Sequence, residues 1–145
     1  QWLNLHRYSA LENNTPACIQ KLKNEGYRIV ATTPDEKAVS VHDFDVAKGK
    51  FALFFGTEKF GLTQVACDLA DEKIRIPMYG FTESFNISVS VSLCLFHFTE
   101  RIRSEKINWQ LSDDEQINIL LDWYRNTITN SEKIERKFQN DFMSD

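Results

Sequence analysis

No stretch of this chain is long and apolar enough to cross a bilayer as a helix. The longest apolar run, near residues 92–98, is short and interrupted, whereas a spanning helix needs ~20 apolar residues in succession. No secretory signal pattern opens the chain. Cysteine is scarce and does not pair: Cys18, Cys67 and Cys94 are odd in number, far apart and without His or Cys at ligand spacing. That argues against a disulfide framework and against a zinc or other metal site, and fits a reducing cytoplasm. A basic surplus is also missing. Lys and Arg number 17 against 21 Asp and Glu, for a net charge of −4, whereas nucleic-acid binders usually carry a basic face. The acid is concentrated at residues 112–115 and at the C-terminus. Basic residues gather at Arg101, Arg103 and Lys106, and again at Lys133, Arg136 and Lys137. Overall charge therefore neither supports nor excludes a nucleic-acid partner. The three histidines suggest no catalytic triad: His97 lies in an apolar run, and His6 and His42 lie in or near polar segments with no evident partner. No internal repeat or low-complexity segment is visible.

What is present suits a compact α/β domain. Residues 2–8 read as a short strand. Thr15 and Pro16 form an N-cap and first-turn pair for a helix with Cys18, Ile19 and Leu22 on one face. Residues 27–33 are a β-branched run closed by Pro34, hence a buried strand. Residues 40–49 read as a polar connection with an apolar trace at Val41, Phe44 and Val46. Residues 51–55, F-A-L-F-F, are the clearest strand. A short helix capped by Thr63 follows, then a strand at 74–76. Strand, helix, strand in this order predicts a parallel sheet. Residues 86–103 are ambiguous: Ile87, Val89, Val91, Leu93 and Leu95 alternate as in a strand, but the run is long and continues into T-E-R-I-R. A helix buried on most of its circumference accounts for it better. Residues 112–128 form an amphipathic helix capped by Ser112, and 131–142 a last helix with Ile134, Phe138 and Phe142 along one stripe. Trp109, Trp123 and Tyr124 read as packing for these helices rather than a base-stacking platform.

Two of the strands end in glycine-containing polar loops, at residues 56–62 (G-T-E-K-F-G-L) and 76–88 (I-P-M-Y-G-F-T-E-S-F-N-I-S). Open parallel sheets place ligands at such exits. The spacing alone says no more than that a pocket is present; by itself, the first loop is an ordinary strand-to-helix turn. The residues say more. In type, order and separation they resemble motifs 2 and 3 of the SPOUT class of RNA methyltransferases, SpoU/TrmH branch, and the resemblance runs from about Trp2 to Arg103. It implies an α/β SPOUT-type sheet with a C-terminal trefoil knot, over residues 1–103, followed by a helical extension at 104–145. It also implies methyl transfer from S-adenosylmethionine to a ribose 2′-hydroxyl of RNA by a homodimer. The extra C-terminal helices resemble the group acting on a tRNA D-loop guanosine; ribosomal RNA is the alternative acceptor, and a non-catalytic RNA- or protein-binding module of SPOUT shape is the rival from another class. The family's motif 1, an Asn followed by an Arg, has no counterpart here, and the chain opens on Gln1 rather than Met. The chain is therefore expected to be the C-terminal portion of a longer protein, and its residues supply no identifiable general base.

By motif position, the resemblance places Thr32, Gly56, Gly61, Ile76, Met78, Phe85 and Asn86 around the cofactor. It places Glu58, Ser84 and Asn86 around the reacting ribose. The glycines would let the backbone approach a ligand closely. The competing readings are structural: Asn86 and Ser88 as helix caps, and Glu58 as a surface carboxylate paired with Lys59 or Lys73.

Overall fold

The computed structural model describes residues 4–9 and 13–142, which divide into two compact units, one over residues 8–108 and the other joining 109–142 with residues 4–7. The first unit is built on a four-stranded, wholly parallel sheet. Its centre is β1 (Arg28–Thr32), where Ile29, Val30 and Ala31 are all buried. Three buried residues in succession are what a strand covered on both faces requires. The remaining strands are β2 (Val39–Ser40), β3 (Phe51–Phe54) and β4 (Glu72–Arg75), giving the order β2-β4-β1-β3. In register, Val30 lies beside Leu53 on one side and Glu72 on the other.

Helix α1 (Thr15–Asn24) precedes the sheet. Thr15 is its first residue rather than its cap; Asn14 takes the cap position without a side-chain capping bond, and Asn13 Oδ1 accepts from the Thr15 amide at 3.2 Å. The helix thus begins one residue earlier than the Thr-Pro pair suggests. Helix α2 (Gln64–Leu69) joins β3 to β4, with Thr63 capping it as expected through the Ala66 amide. Asp71 ties three elements together. Its carboxylate accepts from the Ile29 amide and from Lys23, both at 2.7 Å, while its own amide donates to Ile29 at 2.8 Å.

Two expectations are corrected here. The polar connection at 40–49 begins on the last residue of the edge strand β2 and then buries Val41, Phe44 and Val46 in the main core beside Val30, Ile74, Cys94 and Phe98. The polar residues between them obscured a segment whose three apolar side chains all point inward. At the N-terminus, residues 4–8 form no strand; the remainder of the expected strand, residues 2 and 3, lies outside the described residues.

Residues 86–103 are helical, as α3 (Ile87–Ser104), but the helix is not buried on most of its circumference. Cys94 and Phe98 are buried, whereas Val89, Leu93, Leu95 and Phe96 are exposed. Strict alternation wound at 100° per residue spreads apolar side chains around the whole helix, so one face meets the sheet and another remains open. Arg101 fastens α3 to the segment beside β2, donating to the Phe44 and His42 carbonyls at 2.6 and 3.2 Å.

The second unit contains α4 (Asp113–Thr127) and α5 (Ser131–Phe142). Ser112 and Glu115 form a reciprocal capping box at the start of α4. Arg125 joins the helices through a two-pronged bond to Glu135, at 2.8 and 3.1 Å. Neither helix buries a side chain, and the Ile134, Phe138 and Phe142 stripe is exposed. Among the described residues no helix is long and apolar enough to cross a membrane.

Candidate active site

Parallel strands bring their carboxyl ends to one edge of the sheet. Here β1 ends at Thr32-Thr33-Pro34, β3 at Phe55-Gly56, and β4 runs on to Ile76 and Met78. Bonds beyond the strands hold the three ends together: Thr32 Oγ1 donates to the Phe54 carbonyl at 2.8 Å, and the Thr33 amide to the Ile74 carbonyl at 2.9 Å. A cavity of about 460 Å³ opens at this edge. Its position is that of ligand sites in open parallel sheets, and its size falls in the range of cofactor pockets.

One wall is the loop 56–62. It closes on itself through paired bonds between Thr57 and Gly61, at 3.0 and 2.9 Å. Gly61 turns with φ +66°, a conformation that disfavours side chains other than glycine's. Gly56 is also required by the loop itself. A Cβ there would collide with the backbone of Gly61 and Leu62 across the closed loop. Glycine at 56 therefore shapes the loop that walls the cavity.

The opposite wall comes from the loop 77–86 and the start of α3. Asn86 joins the two walls. Its Oδ1 accepts from the Ser88 amide at 2.9 Å, capping α3, while its Nδ2 donates to Glu58 Oε1. The cap and the bond to Glu58 coexist in one side chain, and Glu58 is held by Asn86 rather than by Lys59 or Lys73.

Of the residues singled out from the sequence, Thr32, Gly56, Glu58, Gly61, Ile76, Met78, Ser84 and Phe85 all line the cavity. Asn86 reaches it through Glu58. Thr33, Phe60, Cys67, Glu83 and Ser90 also line it and were missed. Ser90 was recoverable: it lies one helical turn beyond Asn86, with its amide bonded to the Asn86 carbonyl at 2.9 Å. Cys67 follows the Thr63 cap by four residues, on the same helical face. Glu83 carries no comparable periodic signal.

A second, largely apolar cavity of about 270 Å³ lies beside α3, lined in part by His42, Cys94, Phe96 and His97. His42 does have a partner: its ring meets that of His97 edge-on at 4.9 Å, and His97 Nε2 lies 3.1 Å from the Val41 carbonyl. Burial pushes the Cys94 thiol up to about 11, which makes it a packing group rather than a nucleophile. Among the described residues no group of three His, Cys, Asp or Glu could hold a metal ion.

The family model described as SpoU rRNA Methylase matches residues 1–96. A tRNA (guanosine(18)-2′-O)-methyltransferase of Borreliella burgdorferi is 38% identical over 135 residues, which is 93% of this chain and 60% of that protein. Among solved structures, the A. aeolicus TrmH/SpoU tRNA modifying enzyme is similar at TM-score 0.68 and 31% identity, over 81% of this chain and 60% of that one. The AdoMet-bound rRNA methyltransferase from Sinorhizobium meliloti is similar at TM-score 0.56 and 26% identity, over 61% of this chain and 34% of that one. The chain spans about three-fifths of the length of the first two proteins.

Proposed function

Because the chain belongs to the SpoU rRNA Methylase family, we propose that it forms part of an S-adenosylmethionine-dependent RNA 2′-O-methyltransferase, with a tRNA D-loop guanosine as acceptor. The observation that carries this reading is the cavity at three parallel strand ends, with Glu58 and Asn86 bonded across its rim. The relatives' names support the choice of reaction and of tRNA.

The cavity fits such a cofactor in size and chemistry. In this reading Thr32, Gly56, Gly61, Ile76, Met78 and Phe85 hold it, with apolar side chains against its carbon skeleton and loop backbone beside its polar groups. The carboxylates of Glu58 and Glu83 put negative charge at a cavity that would receive a cationic sulfonium. The bound cofactor would supply a methyl carbon made electrophilic by that sulfur. The reaction needs both partners in line. Asn86 fixes the Glu58 carboxylate, and Ser84 offers a hydroxyl at the same wall. These three side chains orient the acceptor.

Two finer features belong to the same proposal. The loop 77–86 is joined to the loop 56–62 by the Glu58–Asn86 bond, and the match of this region to the family supports reading it as the trefoil knot of the fold. The open face of α3 supports a homodimer joined along it.

The test is methyl transfer from labelled S-adenosylmethionine to bulk tRNA and rRNA by the complete protein, with mapping of the modified nucleotide. Label at a D-loop guanosine supports the full reading, and label in rRNA moves the acceptor. Cofactor binding without transfer to either RNA leaves a binding module and overturns the enzyme.

A further inference from the structure

The loop 56–62 carries an aromatic side chain that neither the sheet nor the proposed cofactor accounts for. Phe60 is 80% exposed, although it stands at the wall of the cavity. Its backbone is fixed: the Thr57–Gly61 bonds close the loop around it, and its amide donates to Thr57 Oγ1 at 3.2 Å. A fixed backbone presenting a bare ring to water is a standing cost in apolar exposure, and it preorganises the ring for a partner. Beside it the Lys59 ammonium lies 5.1 Å from the ring centroid. One aromatic ring with a cation over one face, the other face open, and polar residues around it is too small and too polar-rimmed for a protein interface. It suits one planar base with its phosphate.

We propose that Phe60 and Lys59 form a base-stacking clamp at the mouth of the cavity, taking an unstacked nucleobase of the acceptor RNA strand next to the ribose being methylated. This rests on the methyltransferase reading above. The geometry explains why a clamp is needed. A ribose hydroxyl can enter a cavity at the sheet edge only if its nucleotide leaves the helical stack, and the neighbouring base then loses a stacking partner. The Phe60 ring replaces that partner without selecting a sequence, because every base has a π-face. Lys59 adds a phosphate contact, so the pair acts on RNA affinity rather than on cofactor affinity.

The test uses the complete protein and an unmodified transcript of whichever RNA the labelling experiment identifies. Phe60→Ala is expected to raise KM for RNA about tenfold or more, in line with the cost of losing one stacked base, with S-adenosylhomocysteine affinity by calorimetry unchanged. Phe60→Leu keeps apolar bulk without a π-face and should resemble the alanine variant, whereas Phe60→Trp should retain parental KM. Lys59→Gln should reduce the slope of log affinity against log salt by about one. Parental KM in Phe60→Leu overturns the clamp. An equal loss of S-adenosylhomocysteine affinity in Phe60→Ala assigns the ring to the cofactor and also overturns it. A parent protein that binds S-adenosylhomocysteine but methylates no RNA removes the underlying reading, and the clamp with it.

Discussion

Glu58 and Asn86 come from loops 28 positions apart and meet in a single side-chain bond, so the two functions of Asn86 can be separated by substitution. Asn86→Ala removes both the bond to Glu58 and the cap of α3. Losing the cap costs about 1 kcal/mol, a few degrees of melting temperature in a domain of this size. Asn86→Asp keeps an oxygen for the Ser88 amide but turns the donor toward Glu58 into a second carboxylate. If the bond positions the acceptor, both variants lose methylation about tenfold or more, while only the alanine variant loses melting temperature. Equal activity in the aspartate variant and the parent would remove Asn86 from the reaction. Gly56 makes a contrasting case. Its Cβ would meet backbone within its own loop, so Gly56→Ala should lower both cofactor affinity and melting temperature. A variant that binds cofactor weakly yet melts with the parent would contradict that reading. Motif spacing identified Gly56 as necessary, but only the closed loop shows what the glycine avoids.

At the scale of elements, Asp71 links β1, the start of β4 and α1, and gives that junction a dependence on pH. Burial pulls its carboxyl upward, but the Ile29 amide, Lys23 and Arg28 together hold it below the ordinary value of 3.8. A carboxyl lowered in the folded state contributes stability that is present above 3.8 and is lost as pH falls through the folded value. The group is partly exposed, so the effect is modest. Urea midpoints followed from pH 6 to pH 3 should therefore fall more steeply for the parent than for Asp71→Asn below about pH 4. Parallel curves would show that the Asp71 carboxylate contributes nothing. Helix α3 shows where sequence reading stops. Its length and its uninterrupted run into charged residues identified a helix despite a strand-like period, but could not say which side faces the sheet. That depends on Val41, Phe44 and Val46, the buried segment read as a connection. Phe98, packed against Phe44 and Phe51 with ring centroids 5.3 and 5.4 Å away, should cost about 3–5 kcal/mol on truncation to alanine, measured by denaturant unfolding.

At the scale of the whole molecule, most of the cavity was legible because its residues follow strand ends and glycine loops in fixed order. The contacts that join the loops were not, since they depend on tertiary placement. The same limit applies to the surface of α3, where periodicity could not say which apolar side chains stay open. On α3, Val89, Leu93, Leu95 and Phe96 are all exposed, with Phe96 71% exposed. Exposed apolar side chains of this kind favour association, and a stable dimer buries about 800 Å² per partner. Because Phe96 is so open, replacing it should leave the fold of the single chain intact, which a buried position would not allow. Phe96→Lys is therefore expected to keep the circular dichroism spectrum of the parent and to shift the mass in light scattering from dimer to monomer at micromolar concentration. Loss of methylation together with the dimer would show that the site needs its partner subunit, while a fully active monomer would confine the chemistry to one chain. A parent that is already monomeric at that concentration would rule out the α3 dimer.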